Sequence, residues 1–129
     1  MFPTVLLLSA FALVAENKPM APYSVVTVEK IEIKHGAFNP PTVVTDAAGL
    51  AKLFPDEDAR AAVAKQVDFK MHTLVIFAWS GSGQDGIDVA VLESAPEQLV
   101  FTKKPGRTRD LRTHVKAYAV RNDVKYMVK

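Results

Sequence analysis

The sequence has 129 residues, of which 49% are hydrophobic, with 16 Lys and Arg against 14 Asp and Glu and no cysteine. This length suits one compact domain, since a chain of this size can bury roughly two-thirds of the surface that it exposes when unfolded. A multidomain enzyme and a disulfide-stapled mini-protein are therefore excluded. So are a Cys nucleophile, a Cys-ligated metal and a lipid-modified cysteine in this chain.

The N-terminal segment has the composition of an export signal. Residues 2–15 (FPTVLLLSAFALVA) carry no charge, and a polar boundary begins at Glu16. Such a segment is too short for the roughly 20 residues of a membrane-spanning helix but matches the roughly 7 to 15 of a signal-peptide core. We therefore expect residues 1–15 to be a signal peptide cleaved after Ala15, and the protein to be exported to the periplasm or the extracellular space. The alternative is that this segment is a strand or helix of the domain itself.

The remaining residues divide into a linker and one domain. Pro19 and Pro22 remove backbone donors and forbid helix, so residues 16–22 are interpreted as a linker. The single domain then covers residues 23–129.

The first part of the domain is predicted to hold one strand and two short helices. β-branched residues and an alternation of apolar with charged positions predict a strand over Ser24–Lys34. Thr45 or Asp46 is the expected N-cap of a helix that Pro55 interrupts. Pro55 and the three carboxylates after it predict a second helix, which ends near Gln66.

From residue 73 onward the apolar period is two, which predicts strands. The continuously apolar run Thr73–Trp79 is typical of a strand buried on both faces, and a long hairpin loop, Ser80–Gly86, is expected to follow it. The expected fold is α+β, with one twisted antiparallel sheet of about six strands and one or two short helices on one face. The other strands of this series are predicted at Ile87–Glu93, Leu99–Lys103, His114–Val120 and from Val124 to the end.

The segment Gly81–Gly86 (GSGQDG) matches the dinucleotide-binding pattern G-x-G-x-x-G. A dinucleotide fold needs a helix to begin inside this motif and a carboxylate about 20 residues further on. Here a strand pattern continues at Ile87, and Lys103 and Lys104 stand where the carboxylate is needed. We therefore expect no nucleotide cofactor. The glycines of this loop, and Gly106 after Pro105, are interpreted as turn residues with positive φ.

The titratable residues form no recognisable metal or catalytic pattern. The three histidines are far apart in the sequence and lack H-E-x-x-H or H-x-H spacing, so no metal site is predicted. Asp68 precedes a predicted strand, where a carboxylate commonly caps backbone amides. A small enzyme that uses Asp68, Asp85 or His114 is kept as an alternative, although no nucleophile, base and orienting group can be assembled from a motif.

Charge is distributed asymmetrically along the chain. Residues 98–129 hold nine basic and two acidic residues, net +7, whereas residues 1–97 hold seven basic and twelve acidic residues, net −5. Five of the cations lie within Lys103–Arg112, which we call the basic segment. It is interpreted either as a binding loop for an acidic partner, lipid head group or polyanion, or as a solvated loop that protects sheet edges. Nucleic acid is not expected, because no series of stacking aromatics interleaves the cations.

Several predicted elements follow one another in a characteristic order: the helix Asp46–Phe54, the step Val67-Asp68-Phe69 into the strand Thr73–Trp79, the Gly-rich loop Ser80–Gly86 and the strand Ile87–Leu92. This order resembles that of the C-terminal domain of the bacterial protease-complex subunit family. The segment Phe101–Leu111 is also similar to small exported proteins of planctomycete-like bacteria. The resemblance implies an extracytoplasmic accessory or binding module and brings no catalytic residues with it.

The sequence therefore predicts a non-enzymatic exported binding or accessory module without a cofactor, which contacts a protein or an anionic envelope component. A purely structural envelope protein is a further alternative. The predicted contact residues lie in the Gly-rich loop and the basic segment, and they are Trp79, Ser80, Ser82, Asp85, Lys103, Lys104, Arg107, Arg109 and Arg112.

Overall fold

The computed structural model describes residues 21–94 and 96–129. The predicted signal peptide therefore lies outside the described residues, as does most of the predicted linker. The described part of the chain contains two helices and seven strands. They are β1 (Tyr23–Val26), β2 (Thr42–Val44), α1 (Ala47–Leu53), α2 (Glu57–Ala64), β3 (His72–Ser82), β4 (Gly86–Leu92), β5 (Gln98–Lys104), β6 (Leu111–Arg121) and β7 (Lys125–Val128).

These elements are arranged in three layers. One sheet has four antiparallel strands in the order β1-β6-β3-β2, and the other has three strands in the order β4-β5-β7, with β5 and β7 parallel. The helices cover one face of the four-stranded sheet, and the three-stranded sheet packs on its other face. The predicted α+β class, mostly antiparallel with helices on one face, is confirmed. The strands are divided between two sheets instead of forming one.

Strand β3 is buried on both faces, as its apolar run predicted. Its successive side chains point to opposite sides of the sheet, because the side-chain period of a strand is two. Leu74 and Ile76 point toward the helices and join a core that includes residues of α1 and α2. Phe54, between the two helices, and Val67, between α2 and β3, belong to the same core. The largest helix-layer members of this core are Leu50, Phe54 and Val63.

The other face of β3 builds a second, aromatic core against the smaller sheet. Val75, Phe77 and Trp79 alternate with the residues that face the helices and pack with Leu99 and Phe101 of β5. The rings of Phe77 and Phe101 have centroids 5.1 Å apart. Both sheets are therefore joined through a core that water does not reach.

Both helices begin where an aspartate caps the first turn. The Gly49 N–H donates to Asp46 at 2.8 Å, and the Ala59 N–H donates to Asp56 at 2.9 Å. These bonds satisfy backbone donors that have no partner inside the helix. The two predicted helices are confirmed, and α2 ends at Ala64, shortly before the predicted end.

Strand β1 is much shorter than the predicted strand Ser24–Lys34. After Val26 the chain leaves β6 and runs toward the helices, where the Glu32 N–H donates to the Leu53 carbonyl at 2.8 Å. The Thr27 N–H donates to Gln66 Oε1 at 2.8 Å, and Gln66 Nε2 donates to the Thr27 carbonyl at 2.9 Å. The alternating residues Ile31 and Ile33 pack against the helix-side core from an irregular segment instead.

Three further features differ from the sequence-based expectation. The three-residue strand β2, which pairs with β3, was not predicted. The expected hairpin loop shrinks to residues 83–85, because β3 extends to Ser82 and β4 starts at Gly86. Strand β4 does not pair with β3, whose two hydrogen-bonding edges are taken by β6 and β2, and it pairs with β5 instead.

The aromatic core should dominate stability. We expect Phe77→Ala to lower the free energy of unfolding by about 3–5 kcal/mol, because it removes a fully buried ring and leaves a cavity. The control Val25→Ala, at a side chain that is 67% exposed on β1, should change it by less than about 1 kcal/mol. Denaturant unfolding of both variants measures the difference, and equal losses would contradict a core at Phe77.

Candidate functional site

Two connections meet at one end of the molecule. Residues 83–85 join β3 to β4, and residues 105–110 join β5 to β6. Ser82 pairs with Leu111 in the larger sheet, and Gly86 pairs with Lys104 in the smaller sheet. Because both ladders end at these pairs, the two connections leave the sheets side by side. The Gly-rich loop and the basic segment, which the sequence identified separately, are therefore parts of one site.

Hydrogen bonds lock the two connections together. We call the contacts between residues 82–85 and 106–110 the loop clasp. The hydroxyls of Ser82 and Thr108 lie 2.6 Å apart, and the Thr108 N–H donates to Ser82 Oγ at 3.1 Å. The Gly83 N–H donates to Asp110 at 3.1 Å, and the Arg107 N–H donates to the side-chain oxygen of Gln84 at 3.4 Å. The backbone of the basic segment is thus held by polar contacts that do not use its arginine side chains.

Asp85 is the centre of this arrangement. Its side chain is only 3% exposed, and its carboxylate accepts hydrogen bonds from the Gly106 N–H at 2.6 Å and from Trp79 Nε1 at 3.1 Å. Lys103 Nζ lies 3.9 Å from the same carboxylate. The Gly106 hydrogen bond, aided by Trp79 and Lys103, lowers the pKa of Asp85 below its usual value despite the opposing effect of burial. The group is therefore a buried anion with its partners in place.

Three of the glycines at this site are required by close approach. No described glycine has a positive φ, so the expectation that the loop glycines and Gly106 serve positive-φ turns is wrong. A Cβ on Gly81 would collide with the Asp85 carboxylate, and one on Gly83 would lie 2.5 Å from Asp110 Oδ2. A Cβ on Gly106 would lie 2.5 Å from Gln84 Cβ. Only residues without a side chain allow the two connections to approach this closely.

Trp79 belongs to the core behind the clasp. It is 1% exposed, and its ring stacks on that of His114 with centroids 4.9 Å apart. His114 Nε2 lies 2.7 Å from the carbonyl oxygen of Ser82. Trp79 and Asp85 were predicted as partner contacts, but their buried side chains do not reach the surface in this structure. Their contacts position the residues that do.

The two serines of the Gly-rich loop differ in their surroundings. Ser80 is exposed, and its hydroxyl donates to the His35 carbonyl at 3.4 Å. The hydroxyl of Ser82 lies inside the clasp, where it also accepts from the Gln84 N–H at 3.3 Å. Ser80 is thus the loop serine that a partner could reach directly.

The cations of the basic segment fall into two groups. Lys103, Lys104 and Arg112 pair with Asp85, Asp88 and Asp110, respectively, at 3.9, 3.1 and 2.9 Å. Arg107 and Arg109 are exposed, and neither guanidinium makes an ion pair with any residue in the described ranges. These two arginines therefore carry the uncompensated positive charge of the site.

Asp110 is held as an anion by several donors. The Thr108 hydroxyl, the Gly83 N–H and the Arg112 guanidinium lower the pKa of Asp110 to about 2. The Arg112 Nε donates to Asp110 Oδ2 at 2.9 Å. The Asp110 carboxylate is engaged by the clasp and by Arg112, and it makes no ion pair with Arg107 or Arg109.

Asp68 lies at the opposite end of β3 from the clasp. Its carboxylate accepts from the Lys70 N–H at 3.0 Å, so the predicted capping role is confirmed. Strand β3 has 11 residues, and its ends are therefore about 30 Å apart. Asp68 and Asp85 lie on either side of that span and cannot act on one substrate.

The described residues give little support for a metal site or a dinucleotide site. There, no group of three or more His, Asp or Glu side chains could hold a metal ion. The motif Gly81–Gly86 runs into strand β4, so it lacks the helix that a dinucleotide site needs. Residues 21–94 and 96–129 also include no helix long and apolar enough to span a membrane.

No protein-family model, curated protein or solved structure matches the chain. The resemblance to the protease-complex subunit family therefore stays a prediction, and the site is interpreted from its own geometry.

Close approach at Gly106 can be tested by one added methyl group. We expect Gly106→Ala to lower the free energy of unfolding by about 1–3 kcal/mol, because its Cβ meets the Gln84 backbone and forces the clasp apart. Gly86→Ala is the matched control, since a Cβ there has no neighbour within 4 Å. Its effect should stay within about 1 kcal/mol. Thermal unfolding of both variants gives the comparison, and a neutral Gly106→Ala would argue against the clasp.

The clasp should weaken in acid. Folding lowers the pKa of Asp110 to about 2 and lowers that of Asp85, so both stabilise the folded state above their unfolded pKa of about 4. This contribution is lost as the pH falls from about 4 toward 2. The difference in Tm between the wild type and Asp110→Asn should therefore be largest near neutral pH and shrink over that window. A constant difference would contradict the ionised clasp.

Proposed function

We propose that this protein is an exported, non-enzymatic binding module that takes up an anionic partner through the basic segment. The observation that carries the proposal is the pair of exposed arginines, Arg107 and Arg109, on a loop whose backbone is fixed by the clasp. A preorganised loop loses little conformational entropy on binding, which favours affinity. The partner is an acidic protein or an anionic component of the envelope.

The charge around the two arginines supports an anionic partner. The nearby carboxylates of Asp85, Asp88 and Asp110 are already engaged with lysines, Arg112 or backbone donors. Arg107 and Arg109 are therefore free to bind external carboxylates or phosphates with paired N–H donors, the geometry in which arginine binds anions most strongly. A loop that served only to stay solvated would not need its backbone held at Gly106, Arg107 and Thr108.

Export is supported by the uncharged residues 2–15 and by the resemblance to extracytoplasmic modules. N-terminal sequencing of the protein from culture supernatant or periplasm tests it, with a start near Glu16 expected. An intact Met1 would remove this part of the proposal.

The contacts of the candidate catalytic residues favour binding over catalysis. Asp85 is buried among three donors, His114 stacks on Trp79, and Asp68 caps the turn before β3. Each of these side chains therefore has a structural partner among the described residues. The enzyme alternative therefore has no assembled site to support it.

Binding to poly-L-glutamate tests the anionic partner class. We expect saturable binding that weakens as salt is raised, and a loss of about tenfold or more in the variant R107A/R109A, since charge-assisted hydrogen bonds contribute about 1.5–3 kcal/mol each. The matched control K125A/K129A removes the same charge from the two ends of β7 and should change the affinity by less than about threefold. Equal losses in both variants would mean that only net charge matters, and no binding at all would favour a purely structural protein.

A further inference from the structure

Strand β6 has an unpaired edge next to the basic segment. On one side β6 pairs with β3 over all of its residues, but on the other side β1 pairs only with residues 117–120. No backbone hydrogen bond within residues 21–94 and 96–129 reaches the free side of residues 111–116. We call these six residues the open edge. An edge of this length matches an average strand, and its alternate N–H and C=O groups point outward.

The open edge is accessible. Leu111 is 79% exposed, and Arg112, Thr113 and Lys116 are also exposed. A groove of about 230 Å³, lined by residues 25–28 and 115–117, lies where the chain after β1 diverges from β6. An added strand would therefore extend the sheet where β1 stops.

The residues that follow β1 do not cover the open edge. Residues after Val26 have the sequence pattern of a strand and would continue the pairing with β6, but the chain turns away, and the Glu32 N–H donates to the Leu53 carbonyl of α1 instead. Lys30 then adopts a φ of 53°, which a strand does not allow. On the opposite side of the β3–β6 pair, by contrast, β2 and a bridge from Gly36 to Trp79 cover the edge of β3. The open edge therefore lies on the β6 side of this strand pair.

The charge beside the open edge indicates which kind of strand could pair with it. Arg112 and Lys116 lie on the same face of β6, since their separation is an even number of residues, and Arg107 and Arg109 precede the edge in the basic segment. Two copies of this edge would bring their cations together, which opposes pairing with a second copy. An extended chain with carboxylates at alternate positions would meet these cations and the free backbone groups at once.

We propose that the open edge binds an extended acidic peptide segment of a partner protein as an additional β-strand. The inference rests on the proposed function, because it names the partner class that the basic segment would take. Main-chain hydrogen bonds to residues 111–116 supply affinity, and carboxylates that reach the unpaired cations Arg109 and Lys116 supply selectivity.

Two peptides separate strand addition from simple anion binding. The first is an octapeptide that alternates Val and Glu, and the second is the same octapeptide with every backbone amide N-methylated, which keeps the carboxylates but cannot complete a ladder. We expect the first to bind saturably to the full chain and the second to bind at least about tenfold more weakly, because several main-chain hydrogen bonds are lost. Hydrogen exchange should show new protection confined to amides of residues 111–116.

A charge reversal on the strand itself supplies an independent readout. Lys116 makes no ion pair with a described residue. Lys116→Glu should therefore preserve folding and weaken the unmethylated octapeptide about tenfold. Lys125→Glu on β7 is the matched control and should leave that affinity within about threefold.

The outcomes distinguish the two proposals. Equal binding of both octapeptides, or protection elsewhere than residues 111–116, would overturn strand addition while leaving anion capture intact. Failure of the octapeptide to bind while poly-L-glutamate binds would do the same. If poly-L-glutamate also fails, the proposed function itself is overturned. A dimer in analytical ultracentrifugation with protection at residues 111–116 would assign the edge to a second copy and reject the peptide.

Discussion

The pairing of β3 with β6 is the interaction on which the rest of the structure depends. It runs for 11 residue pairs, and its alternating side chains supply both cores at once, Leu74 and Ala119 toward the helices and Phe77 and Tyr118 toward the smaller sheet. A slip of one residue would exchange the two sets and place aromatic rings under the helices, so the register is strongly specified. Because this ladder ends at Ser82 and Leu111, it also decides where the loops emerge.

The buried carboxylate of Asp85 holds the two loops in a defined position at the end of these strands. Its partners come from three places: the indole of Trp79 on β3, the backbone of Gly106 and the ammonium group of Lys103 on β5. A buried anion is costly unless its hydrogen-bonding capacity is used, so these three groups are held in one arrangement. The arginines that follow Gly106 thereby extend from a rigid base, although they make no ion pair with described residues themselves.

Charge and an open edge occur together on β6, and they have opposite effects on association. Unpaired strand edges invite contact with other chains, and cations on or beside them discourage pairing between like copies. In this protein the cations Arg109, Arg112 and Lys116 flank an edge that the chain's own residues after Val26 leave uncovered. The same side chains that protect the edge from self-association would favour an acidic strand, which unites the two interpretations of the basic segment.

The sequence by itself determined the features that depend on near neighbours. The caps at Asp46 and Asp56 act within three residues, the apolar run of β3 is contiguous, and the strand after Gly86 excluded a dinucleotide site. The tertiary structure alone decided the features that depend on distant partners. Gln66 binds the backbone of Thr27 from 39 residues away, and Gly106 meets Asp85 from 21 residues away, so neither contact, nor the need for glycine, could be read from local patterns. The division into two sheets has the same origin, because hydrogen-bonding edges are assigned only when all strands are present.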